Sequence, residues 1–116
     1  MACRVTSRAV SGVIVIDLSG RLDFLEVSLR EEVQKLLGQG SREFIINLAD
    51  VPYVDSFGLG QLITIWTSIQ RAGGKMTLLW PTPQVLKLFE LTKLNLVFTI
   101  WNEEHHVVGV RSKEAS

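Results

Sequence analysis

The apolar residues of this chain change their period repeatedly along its length, and that alternation restricts the fold more than any single residue does. Residues 3–9 alternate loosely and predict an edge strand, with Ser11 and Gly12 as a turn. Val13–Ser19 is nearly continuous apolar and β-branched, the mark of a strand covered on both faces or of one with a single polar outlier at Asp17, and Gly20 breaks it. From Phe24 to Leu37 the period becomes helical, with Leu25, Leu29, Val33, Leu36 and Leu37 on one stripe. Asp23 is the candidate N-cap of that helix, and Glu26 stands three residues on at capping-box spacing. Glu43–Leu48 predicts another strand. A loop over 49–54 containing Pro52 leads into a second helix from about Phe57, with Leu59, Leu62, Ile63, Trp66 and Ile69 inward. Gly73 and Gly74 end it, and Lys75–Trp80 is the next strand. Thr82 caps a third helix with Pro83 at its first position. Val85, Leu86, Leu88, Phe89 and Leu91 are expected to face inward, and Val97–Trp101 is the last strand.

Strand, strand, helix, strand, helix, strand, helix, strand is an α/β order. After the first hairpin it requires a mostly parallel sheet of four to five strands with right-handed crossovers and helices packed on the sheet. At 116 residues the chain suits one domain, with a core over about 5–101 and a polar tail, expected to be partly mobile, that holds one more helical turn near His105.

Charge and cysteine content exclude several function classes. Twelve basic and twelve acidic side chains cancel, which removes the usual electrostatic warrant for nucleic-acid binding. No basic block suggests a membrane patch, no apolar run approaches a transmembrane span, and the first residues lack a signal-peptide core. Cys3 is alone, so neither an intrachain disulfide nor a cysteine metal site is expected, and it reads as an ordinary residue near a frayed end. A cytoplasmic protein is expected. The hydrophobic fraction of 47% permits a homodimer without requiring one.

Chemistry in such a fold collects where strands feed helix N-termini, and Asp23 and Ser56 both lie at such junctions. A hydroxyl at Ser56 can cap the second helix, and a phosphate on the same oxygen would face free backbone N–H groups and the positive end of the helix dipole. Gly58 and Gly60 in the first turn each cost about 1 kcal/mol relative to alanine. Either a partner needs bare backbone there or the helix packs tightly on its strand. The pair is not a nucleotide fingerprint, because the third glycine of that pattern would be Ile63. Asp17, Asp23, Asp50 and Asp55 have no histidine, lysine or cysteine beside them in this region, and the last three suit caps and turns. His105 and His106 are adjacent and diverge, which suits no joint metal site. Trp66, Trp80 and Trp101 read as core or core-edge aromatics. No catalytic constellation, cofactor or metal is expected, and the chain reads as a non-enzyme.

The stretch from Asn47 to Gly60, Asn-Leu-Ala-Asp-Val-Pro-Tyr-Val-Asp-Ser-Phe-Gly-Leu-Gly, resembles the signature of STAS domains, in particular the single-domain bacterial anti-sigma factor antagonists. Leu18–Asp23, the glycine pair before Lys75, and Val85–Thr92 agree in order and spacing, so the similarity covers about residues 5–101. The resemblance implies that Ser56 is phosphorylated by a partner that is both serine kinase and anti-sigma factor. The unphosphorylated form binds that partner and frees the sigma factor, and the phosphorylated form is released. It also implies a contact surface of Asp23, Asp55, Ser56, Phe57, Gly58, Leu59 and Gly60. Two positions depart from the family pattern: Phe57 stands where a serine or threonine is usual, and Lys93 where many relatives have glycine. The alternatives are a nucleotide- or anion-binding module using the same helix N-terminus, and a constitutive scaffold domain in a stress-sensing assembly that is never phosphorylated.

Overall fold

The computed structural model describes residues 3–23 and 28–102. Five strands form one sheet in the order β1-β2-β3-β4-β5, which is also their order in sequence. β1 (Arg4–Val10) and β2 (Val13–Ser19) are an antiparallel hairpin, turned by Ser11 and Gly12 at φ 52° and 83°. β2, β3 (Glu43–Asp50), β4 (Lys75–Leu79) and β5 (Thr99–Trp101) then run parallel. The crossovers are α1 (Ser28–Gly38), α2 (Ser56–Arg71) and α3 (Pro83–Leu91), the last followed by a short 3-10 turn over Leu94–Leu96. The expected fold class is the observed one.

All three helices share one face of the sheet. Alternate strand residues Ile14, Ile16, Phe44, Ile46, Met76 and Leu78 meet Leu29 and Val33 of α1, Leu62 and Ile65 of α2, and Val85 and Phe89 of α3 in a single core. On the opposite face Val15, Ile45 and Leu79 form a smaller buried cluster edged by Trp80 and Trp101. Asp17 shares that second face by the period-two rule and is neutralised there. Arg8 donates to it through Nε at 2.8 Å and through a second guanidinium nitrogen at 3.3 Å, and Asn47 Nδ2 donates at 2.8 Å. The carboxylate raises the Arg8 pKa above its ordinary value, chiefly through that hydrogen bond. Asn47 Oδ1 also accepts from the Ala49 N–H, so the first residue of the signature stretch ties β2 to the end of β3.

Several expectations need correction. Ile63 is exposed while Ile65 is fully buried, so the inward stripe of α2 is centred one step from where periodicity put it. Leu91 is 72% exposed rather than inward. Cys3 is buried at the edge of the main core, not frayed. The last strand begins at Thr99, because Leu94–Leu96 closes a tight turn entered through Lys93 at φ 65°. That left-handed backbone is the conformation glycine adopts most cheaply. The proposed cap partner Glu26, Leu25 on the first helical stripe, and the tail with His105 and His106 lie outside the described residues.

Candidate functional site

The site is built where β2 and β3 leave the sheet side by side. Beyond the regular ladder, Gly20 N–H donates to the Asp50 carbonyl at 2.9 Å and Leu22 N–H to the Tyr53 carbonyl at 3.0 Å. Asp55 N–H then donates to the Leu22 carbonyl at 3.2 Å, and Leu22 and Val54 form an isolated parallel bridge. Both side chains are buried, at 0% and 6% exposure, so the two loops are pinned by apolar anchors as well as by backbone bonds. Asp23 is thereby carried to the end of the molecule where α2 begins. Gln61 of α2 completes the clamp, its Nε2 donating to the Asp23 carbonyl at 2.9 Å.

The N-terminus of α2 divides its tasks between two residues. Asp55, not Ser56, is the N-cap: its backbone is extended, and its Oδ1 accepts from the Gly58 N–H at 2.8 Å. Ser56 is the first helical residue and is exposed. The expectation that the Ser56 hydroxyl caps the helix is therefore corrected. An aspartate has the reach and the charge for the cap, and it leaves the neighbouring hydroxyl outside the capping bond.

The two glycines of the first turn are present for different reasons. A Cβ at Gly58 would collide with the Leu22 carbonyl oxygen and crowd its side chain, so tight packing explains this glycine. A Cβ at Gly60 would meet nothing within 4 Å, and Gly60 is exposed. Of the seven residues expected on a contact surface, Ser56, Phe57 and Gly60 are exposed and Asp23 and Asp55 are half-buried. Gly58 and Leu59 are buried, so neither is open to a partner. Phe57 is 63% exposed, a large apolar side chain set beside the serine.

Sequence reasoning did not single out Leu22, Val54 or Gln61. The first two read as ordinary apolar residues, and nothing in a polar glutamine one turn into a helix signals its partner thirty-eight residues earlier. Among the described residues, no group of three or more His, Cys, Asp or Glu side chains could hold a metal ion.

With this sheet and this loop-to-helix junction, the chain belongs to the STAS domain family, whose model matches residues 4–107. The chain is 31% identical over 88 residues to the anti-sigma-B factor antagonist of Bacillus subtilis, covering 75% of this chain and 80% of that one. It is 26% identical to the anti-sigma F factor antagonist of Paenibacillus polymyxa over 98 residues, covering 80% and 81%. With a Thermotoga maritima protein provisionally named an anti-sigma factor antagonist, the matched stretch spans 60% of that protein's length at 32% identity. Among solved structures, the Bacillus cell fate determinant SpoIIAA in its phosphorylated form superposes with a TM-score of 0.70 at 25% identity, covering 90% of this chain and 96% of that one. Among the described residues, no helix is long and apolar enough to cross a membrane.

Proposed function

We propose that this chain is an anti-sigma factor antagonist whose grip on its partner is set by phosphorylation of Ser56. The unphosphorylated form binds a cytoplasmic anti-sigma factor that is also a serine kinase; the phosphorylated form lets it go. The observation that carries this reading is the division of labour at α2: Asp55 holds the cap, so the exposed Ser56 hydroxyl is open to modification without loss of the helix start. The names of the relatives, and the existence of a phosphorylated form of one of them, support it.

The physics gives the switch its direction. A phosphate adds about −1.5 to −2 charges and three acceptor oxygens at the first residue of the helix. Within the domain the positive end of the α2 dipole favours that charge. Toward a docking protein the same dianion stands beside Asp55 and next to the apolar Phe57, where it must be desolvated on contact. The fold is thus spared while the interface is penalised. About 1.4 kcal/mol of such penalty already weakens binding tenfold.

The test is binding of the partner kinase to the purified chain and its variants, measured by calorimetry. Ser56→Ala binds as the unphosphorylated wild type does and is not released when ATP is added. Ser56→Asp binds at least about tenfold more weakly. Equal affinity of both variants and wild type, with no phosphate on Ser56 by intact mass, would refute the switch.

A further inference from the structure

An apolar groove of about 290 Å³ lies between the loop that leads to Ser56 and the outer side of α3. Tyr53 and Val54 form one wall, and Leu88 and Leu91 contribute to the other. Leu88 and Leu91 are three residues apart and therefore share a helix face with Gln84 and Lys87. That face is unusual for an amphipathic helix, since Leu91 is 72% exposed and Tyr53 across the groove is 45% exposed. The only charge among the lining residues is Lys87. A second cation stands behind the opposite wall, where the Arg21 guanidinium lies 4.6 Å from the centre of the Tyr53 ring.

We infer that this groove docks an apolar peptide segment flanked by acidic residues, contributed by the partner protein. Its volume lies at the low end of the roughly 300–1,000 Å³ of small-molecule sites, enough for one or two anchoring side chains. The apolar floor supplies the burial that such anchors need, and short amphipathic segments are recognised in this way elsewhere. Lys87 in the groove, with Arg21 stacked on Tyr53, favours acidic flanking residues and speeds encounter with them. Val54 lines the groove and Ser56 follows two residues later, so the segment would lie against the same end of the molecule as the switch. The inference thus rests on reading that end as a protein-binding surface. It adds the chemistry of what binds beside the serine.

A random linear peptide library displayed on phage and panned against the full chain supplies the probe. The enriched peptides should share apolar anchors with Asp or Glu beside them. In fluorescence anisotropy, Leu91→Glu and Lys87→Glu should each weaken them by about tenfold or more, a loss of about 1.4 kcal/mol. Thr64→Glu on the exposed side of α2 should leave binding unchanged, and circular dichroism should show all three variants folded. Peptides without acidic residues, peptides indifferent to both groove substitutions, or no enrichment would overturn the inference. So would self-association of the chain that Leu91→Glu abolishes, because a second copy would then own the groove. An unphosphorylated Ser56 in the cell would refute the switch and leave these titrations intact, so the two failures are distinguishable.

Discussion

α2 and α3 both begin on the same edge of the sheet, at the C-terminal ends of parallel strands, and both are capped by a side-chain oxygen; yet the two starts are built differently. At α3 a single residue carries the whole junction. The Thr82 hydroxyl accepts from the Val85 N–H at 3.4 Å and donates to the Val51 carbonyl at 3.1 Å, and Pro83 fills the first helical position. At α2 the cap falls to Asp55, the first helical position holds an exposed serine, and the third holds a glycine pressed against the Leu22 backbone. The α3 start is a closed structural joint. The α2 start has the same stability devices moved one residue away from the hydroxyl, so that chemistry at the hydroxyl need not disturb them. A helix N-terminus becomes a candidate switch when its cap and its modifiable group are different residues.

The comparison can be broken or sharpened by substitution, read as urea midpoints at constant m-value. Gly58→Ala should have the largest effect, a loss of about 2–3 kcal/mol, because the new methyl cannot coexist with the Leu22 carbonyl and one side of the clamp must shift. If it proves neutral, the packing explanation for this glycine is wrong. Asp55→Ala should cost about 1.5 kcal/mol by orphaning the Gly58 N–H and removing a charge that favours the dipole. Thr82→Ala should cost about 1 kcal/mol, its long cap bond contributing less than the Asp55 bond. A larger loss at Thr82 than at Asp55 would reverse the ranking of the two caps. Smallest of all, Ser56→Ala should stay within about 0.5 kcal/mol of wild type, since the hydroxyl lies outside the capping bond. A cost above 1 kcal/mol there would make Ser56 a structural residue and remove the contrast with α3.

The order of elements was legible from period alone, and Val13–Ser19 is a strand over the very residues its composition predicts. Thr82 with Pro83 was equally readable, because the cap and the first helical position impose local chemistry that no distant contact is needed to explain. The inward face of α2 was not. Ile63, Ile65 and Trp66 are all apolar, so a helical wheel admits two centres, and only the sheet beneath decides that Ile65 faces it. Leu91 failed for a related reason. It ends its helix, where packing against the sheet has run out and an apolar side chain is left at the surface. Which of Asp55 and Ser56 caps α2 was open in sequence, since both side chains make good caps and the choice turns on a single residue of helix register.

By itself the amino-acid sequence determined the alternation of strands and helices, the parallel sheet that this alternation demands, and the loop-to-helix junction at residues 55–60. These follow from local preferences and from the rule that each apolar face must be buried. Tertiary structure alone decided that Leu22 and Val54 meet, that Gln61 holds the Asp23 carbonyl, and that Gly58 has no room for a side chain. Those facts depend on residues more than thirty positions apart approaching within van der Waals distance, and no local period records such a meeting.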